Sequence, residues 1–116
     1  MSKLFKLARQ TAEKALEVVE SKVKDQTLYL DHLCKKNKLD RITVSNPSGC
    51  VIATSDGQGI NLDISDRQYF IHAKSGEGMQ TLVLSRVNDK HYLVTSAPVY
   101  NEKKEIVATI QLFRQS

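Results

Sequence analysis

The sequence lacks most of the features that assign a function directly. It has two cysteines, Cys34 and Cys50, without a CxxC pair, and its histidines at 32, 72 and 91 are too scattered for a metal site. No stretch approaches the roughly 20 apolar residues of a membrane span, and the first ten residues lack the apolar core of a signal peptide. We therefore predict no metal, no cofactor and no membrane anchor within these residues. We also predict two buried free thiols, with a single disulfide as the alternative if the domain is exported.

Motifs of common enzymes and nucleotide-binding proteins are also missing. There is no G-x-G-x-x-G sequence, and DGQG at 56–59 lacks the Lys and Ser/Thr that hold a phosphate in a P-loop. Side chains that could act as nucleophiles, bases or acids are present, but no two of them stand at the spacing of a catalytic motif. We predict that the protein is not an enzyme.

The composition is that of one small globular domain covering residues 1–116. Hydrophobic residues make up 41% and charged residues 26% of the chain, so neither disorder nor a fibrous structure is indicated. Seventeen Lys and Arg against thirteen Asp and Glu give a net charge of +4. The basic residues of the first third alternate with acidic ones, as on a solvated helix face, and we expect no nucleic-acid partner.

Residues 3–37 contain neither proline nor glycine, and their apolar residues recur at helical spacing. This predicts one long helix at about 3–37. Positions 12, 16, 19, 23, 26, 30 and 33 form a heptad-like seam interrupted by Gln26. The seam allows two interpretations that can hold together: one half packs on the domain's own sheet, and the N-terminal half pairs with the same helix of a second subunit. Because so long a helix overhangs so small a domain, we predict a homodimer through the N-terminal helix.

After Leu39 the pattern changes to strands. Turn residues NPSG and a glycine-bearing loop, DGQGINLDI, separate the first segments. Ser65 and Gln68 form a capping box, and Gly76 marks a stop, which predicts a short helix at about 66–74. The predicted strands are RITVS, CVIATS, MQTLVLSRV, HYLVTSAPVY and EIVATIQLF. The fold class is α+β, a five-stranded antiparallel sheet with a long N-terminal helix and a short helix between strands 2 and 3.

The short helix is the best candidate for a binding site. Arg67 offers a planar donor fork suited to a carboxylate, near a helix start that favours an anion. Tyr69 and Phe70 point in different directions on a helix, so one can enter the core while the other lines a cavity. The alternative is that Arg67 pairs with Asp63 or Asp66 and that both rings are core. The residues alone do not decide between the two.

Several segments in their order resemble Cache domains, the PAS-like, PDC-type sensor domains of bacterial and archaeal receptors. The match covers residues 10–114. It rests on RITVSNPSGCVIATS, LDISDRQYF, SGEGMQTLVLSRV, HYLVTSAPVY and EIVATIQLF. The resemblance implies a PAS-like core at about 39–114. It also implies an extracytoplasmic sensor segment, tethered between two membrane spans of a chemoreceptor, histidine kinase or cyclic-di-GMP enzyme.

The resemblance further implies a pocket between the sheet and the short helix with its preceding loop. Arg67 and Tyr69 match the family's binding positions, and Phe70 matches its wall. Weaker candidates are Ser85 on the third strand and Tyr92 or Thr95 on the fourth. They are weaker because alternation alone does not tell which residues of a strand point inward.

Two departures from the amino-acid-binding branch of the family restrict the chemical class of the expected ligand. His72 stands where that branch has an acidic residue, and no acid follows Glu105 on the last strand. A ligand ammonium would lack its counter-charge, so a small carboxylate is the expected ligand. Its binding would be relayed to the membrane through the long helix and the last strand. The alternative is a ligand-free dimerisation or scaffolding module.

Overall fold

The structure is a computed structural model that describes residues 3–84 and 89–115, with Lys3 described by its backbone alone. Its elements are α1 Lys3–Val19, α2 Gln26–Lys36, β1 Arg41–Ser45, β2 Val51–Thr54, α3 Gln68–Lys74, β3 Met79–Leu84, β4 His91–Tyr100 and β5 Ile106–Gln115. The strands form one antiparallel sheet in the order β2-β1-β5-β4-β3. The predicted fold class is confirmed. The predicted third strand extends beyond Leu84 into residues outside the described part of the chain.

The prediction of one continuous helix over 3–37 is wrong. Helix α1 ends at Val19, Ser21 adopts a φ of 56°, and Asp25 caps α2 by accepting a hydrogen bond from the Leu28 N–H at 3.0 Å. A straight helix over these residues would be about 50 Å long. The longest dimension of the domain is 35 Å. The break turns the chain so that both helices pack on the same sheet.

The heptad-like seam is part of the domain's own core. Its members Ala12, Leu30 and Leu33 are buried, while Leu16 and Val19 pack against the same cluster. The interpretation that the seam packs on the domain's own sheet is therefore confirmed. The outward residues of α1 are charged or polar, namely Lys6, Arg9, Gln10, Glu13, Lys14 and Glu17.

Each strand alternates between the two faces of the sheet, and different helices cover them. The face under α1 and α2, called here the α1 face, includes Ile42, Ile110 and Leu112. The opposite face, called here the α3 face, packs Tyr92 and Phe113 against α3. Because successive side chains of a strand point to opposite faces, one residue of register decides which face a side chain reaches.

The segment before α3 is fixed by the β1–β2 turn. Gly49 has a φ of +89°, and a Cβ added there would lie 2.7 Å from the Ser65 Cα, so only glycine allows this approach. The Ser65 N–H donates to the Asp63 Oδ1 at 2.9 Å. The predicted capping box of Ser65 and Gln68 is wrong because this local turn continues through Ser65. The N-cap is Arg67, which makes no side-chain capping bond.

Candidate functional site

A small cavity lies on the α3 face between β1, β5 and the start of α3. Its volume is about 20 Å³, room for about one water molecule. Its lining consists of Arg41, Thr43, Val51, Leu62, Ile64, Arg67, Tyr69, Val83, Leu84 and Phe113. Two guanidinium groups therefore border one cavity, and none of the described residues that line it carries a carboxylate.

Arg67 reaches this cavity from the N-cap of α3. Its side chain is half-buried, and its Nη2 donates to the backbone carbonyl of Leu84 at 3.1 Å. Helix α3 has seven residues, so its N-terminus adds little to the attraction for an anion. The positive charge at the site belongs to the guanidinium groups.

Arg41 is the second cation of the cavity, and sequence reasoning missed it. It is 5% exposed, and its Nη2 donates to the Gln58 carbonyl at 2.6 Å. Its guanidinium carbon lies 5.5 Å from the centre of the Phe113 ring. Alternation along RITVS could have identified Arg41. Its side chain lies on the same face as those of Thr43 and Ser45, whereas Ile42 points to the other face.

The carboxylate nearest to Arg41 belongs to the loop that follows β2. The Asp56 Oδ2 lies 3.5 Å from the Arg41 Nε, which is an ion-pair distance. Nε is nevertheless buried without a hydrogen-bond partner within the described part of the chain. The Asp56 Oδ1 accepts the Gln58 N–H at 3.0 Å, so the loop folds back on itself while it holds the arginine. The Asp56 carboxylate therefore partly satisfies the buried charge of Arg41.

A row of buried polar side chains continues from the cavity across the α3 face. The Thr43 hydroxyl donates to the Gln111 Oε1 at 2.6 Å, and the Gln111 Nε2 donates to the Thr109 hydroxyl, which also contacts Ser45. All four residues are at most 3% exposed. Burial of these groups is tolerated because they satisfy one another. The Thr54 hydroxyl, opposite Thr43 in the β1–β2 register, has no hydrogen-bond partner among the described residues.

The two rings of α3 are both buried. Tyr69 is 4% and Phe70 is 3% exposed, and both belong to the core cluster of the α3 face. Tyr69 also lines the cavity, whereas Phe70 does not. Tyr92 lies beside the cavity, where it packs edge-on against Phe113 with ring centres 5.6 Å apart.

The remaining predicted site residues do not meet at this cavity. His72 lies in the second half of α3, its Nδ1 3.8 Å from the Glu77 Oε2, and it is not part of the lining. Thr95 stands opposite Leu112, on the α1 face, and accepts a hydrogen bond from the Gln80 Nε2 at 3.0 Å. Thr95 and Tyr92 are three residues apart on one strand, so they point to opposite faces. Ser85 lies outside the described residues.

Within residues 3–84 and 89–115, no helix combines the length and apolar character needed to cross a bilayer. The same ranges contain no group of three or more His, Cys, Asp or Glu placed to hold a metal ion. Both cysteines are free, and burial raises the pKa of the Cys34 thiol, with nearby Asp31, Asp40 and Asp56 acting in the same direction.

Comparison with known structures identifies the fold. The chain superposes on the sensor domain of the V. cholerae histidine kinase DctB with a TM-score of 0.71 and 17% identity, over 95% of this chain and 43% of that one. A second similar structure is the ligand-binding domain of the Campylobacter jejuni chemoreceptor Tlp3 in complex with 4-methylisoleucine. It superposes with a TM-score of 0.65 and 17% identity, over 96% of this chain and 51% of that one. The E. coli DcuS sensor domain superposes with a TM-score of 0.61 and 16% identity, over 94% of this chain and 91% of that one.

The chain thus spans about half or less of the first two domains and nearly all of the third. No protein-family model matches the sequence, and the search of curated proteins finds no match. The fold is that of Cache-type sensor domains, as the sequence resemblance predicts.

Proposed function

We propose that the chain is the extracytoplasmic ligand-sensing domain of a membrane signal-transduction receptor, and that it binds a small carboxylate on the α3 face. The observation that carries the proposal is that Arg41 and Arg67 border one cavity without a lining acid. The fold it shares with the sensor domains of DctB, Tlp3 and DcuS supports the sensing role. Attachment to a membrane through segments outside the described residues is part of the proposal.

The chemistry of the cavity favours an anion with a small apolar body. Guanidinium forks bind carboxylates in a bidentate manner. The Thr43 hydroxyl at the same wall already donates to Gln111, so the two arginines are the donors that the ligand would use. Tyr69, Phe113 and the aliphatic lining would exclude water from the ligand. An α-amino acid such as the Tlp3 ligand also carries an ammonium group, for which this lining offers no carboxylate.

Binding requires the cavity to open. At about 20 Å³ the cavity is far below the roughly 300–1,000 Å³ of ordinary ligand sites. An incoming carboxylate would replace Asp56 beside the Arg41 Nε and release the loop that begins there. Because Asp56 holds the closed state and the ligand would hold the open one, the two states differ in ligand affinity, as a sensor requires. The last strand β5 and helix α1 would relay the change to a membrane.

A thermal-shift screen of small mono- and dicarboxylates tests this function. We expect at least one acid to raise the melting temperature of the native chain, and Arg67→Gln to abolish that rise while leaving the fold intact. Arg114→Gln is the matched control, because Arg114 is an exposed arginine of β5 outside the lining. A rise that persists in the Arg67 variant would contradict the proposed site.

The closed cavity also favours a second candidate, a ligand-free dimerisation or scaffolding module. Because α1 uses its apolar stripe in its own core, a homodimer through α1 would have to pair the charged face that carries Lys6, Glu13 and Lys14. Such contacts weaken with salt. Sedimentation at low and high ionic strength distinguishes the candidates: a salt-sensitive dimer without any ligand response favours the scaffold.

A further inference from the structure

A second and much larger cleft lies between α1 and β4. Its volume is about 650 Å³, within the range of ordinary small-molecule sites. Phe5, Ala12, Ala97 and Pro98 give it largely apolar walls, and Gly78 leaves room where a side chain would stand. None of the residues that line it lines the cavity with Arg41 and Arg67.

The cleft lies where one edge of the sheet is open. Strand β3 begins at Met79, opposite Ser96, whereas β4 continues to Tyr100. Pro98 therefore stands beyond the last residue that pairs with β3. A proline has no N–H, so within a strand it is tolerated on the side that no neighbouring strand uses.

The backbone at this edge offers acceptors. A Cβ added to Gly78 would lie 2.9 Å from the Ser96 carbonyl oxygen, so that carbonyl faces the β3 side. Two residues along the strand, the Pro98 carbonyl points the same way, into the cleft. The Ser96 hydroxyl is already engaged, because it donates to the Met79 carbonyl and accepts the Met79 N–H, both at 3.3 Å.

Side chains add negative charge and aromatic faces. Glu13 and Arg9 stand one turn apart on α1, both exposed, and no ion pair joins them in the described part of the chain. Tyr100 reaches across toward the linker before β3, since a Cβ at Gly76 would lie 3.6 Å from its hydroxyl oxygen. Carboxylate, carbonyl and ring faces are the groups that attract an ammonium ion. Among the described side chains of the lining, Arg9 and the Tyr100 hydroxyl are the groups that would attract an anion.

We propose that this cleft is a second ligand site, which takes a small organic ammonium with an apolar body. The apolar part would lie between Phe5, Ala97 and Pro98, and the ammonium would lie near Glu13, the Tyr100 ring and the Pro98 carbonyl. The cleft lies around the edge of the sheet, and none of its lining residues lines the cavity with Arg41 and Arg67, so the two sites can be occupied independently. The charge of Arg9 opposes the ligand and limits its affinity.

Titration with 2-phenylethylammonium, followed by amide chemical shifts of the native chain, tests the proposal. We expect shifts at Gly76, Gly78, Tyr100 and the Arg9–Glu13 turn. Glu13→Gln should weaken binding by about two- to fivefold, and Arg9→Gln should strengthen it by a similar factor, as partly exposed charges do. Glu20→Gln, at the far end of α1, is the control and should leave the affinity unchanged.

Uncharged 2-phenylethanol separates charge recognition from simple apolar contact. It should bind more weakly than the ammonium, and its affinity should not respond to the Glu13 substitution. Equal binding of the two molecules, or an ammonium affinity that is the same in Glu13→Gln and native protein, would overturn the proposal. Absence of shifts at the cleft up to millimolar probe would also overturn it. None of these results bears on the carboxylate site, because none of the residues that line this cleft lines the cavity with Arg41 and Arg67. The Arg67→Gln variant likewise leaves this cleft intact.

Discussion

The Arg41 Nε and the Asp56 Oδ2 lie 3.5 Å apart, and this ion pair joins the first residue of β1 to the loop after β2. The arginine side chain is 7% exposed and the aspartate side chain 41% exposed. The buried partner thus depends on a carboxylate that solvent can reach. Such an asymmetric pair is suited to exchange with a dissolved carboxylate, because the loop can move outward without burying a new charge.

Asp56→Asn should raise the affinity for a carboxylate ligand, because the competing charge is removed from the Arg41 side. The same change should lower the free energy of unfolding by about 2 kcal/mol, since a buried guanidinium loses its counter-charge. Calorimetric titration and urea unfolding measure the two effects. Asp31→Asn, which breaks only the exposed pair with Lys35, should change stability by less than about 1 kcal/mol and leave affinity unaltered.

Gln111 should be more important for stability than its polar side chain suggests. Gln111→Met keeps the volume but leaves the buried Thr43 hydroxyl without its acceptor and removes one of the two partners of the Thr109 hydroxyl, and should cost about 2 kcal/mol or more. Gln10→Met, on the exposed face of α1, is the control and should fall within about 0.5 kcal/mol of the native value in urea unfolding. Equal stability of the two variants would contradict a stabilising role for the buried polar row that contains Gln111.

Charged substitutions in the former heptad seam should destabilise the fold without separating subunits. Val19 and Val23 pack against the core of the α1 face. Val19→Asp and Val23→Asp would each place a charge against that core and lower the melting temperature. The sedimentation coefficient at a given salt should stay that of the native chain. A lighter species with an unchanged melting temperature would instead place Val19 and Val23 at a subunit interface.

The Tyr29 hydroxyl donates to the Glu17 Oε2 at 2.5 Å and joins α2 to α1. Burial and the neighbouring Glu17 carboxylate raise the pKa of Tyr29 to about 12. The unfolded chain loses this proton near pH 10, so between pH 10 and 12 the folded state binds more protons than the unfolded state. The contribution to stability is therefore complete below pH 10 and is lost as the pH rises toward 12. Phenolate absorbance during an alkaline titration measures the shift, and Glu17→Gln should reduce it.

The sequence predicts the strands well because alternation and turn residues act locally. RITVS and HYLVTSAPVY coincide with β1 and β4. The place of α3 between strands 2 and 3 was predicted with the stop signal of Gly76, although the capping box used for its start is wrong. The helix break at Ser21 was not predictable from propensity, since residues 20–25 contain no glycine or proline. It follows from a tertiary demand, namely that both helices cover one sheet.

The site was predictable only in part. Arg67 and Tyr69 were identified from the short helix, and both line the cavity. Arg41 was missed because it is distant in sequence and comes next to the cavity only through the strand order of the sheet. Tyr92 and Thr95 were alternatives, and the sequence could not choose between them because the choice depends on the pairing of Thr95 with Leu112, which puts Thr95 on the α1 face.

Amide chemical shifts recorded while a small dicarboxylate is titrated into the native chain test the central claim most directly. The account predicts shifts at Arg41, at Asp56–Gln58 and at Arg67, all saturating together, with the Arg67→Gln chain unresponsive. Saturating shifts confined to other surfaces, or shifts that are the same in the Arg67→Gln chain, would contradict a carboxylate site on the α3 face.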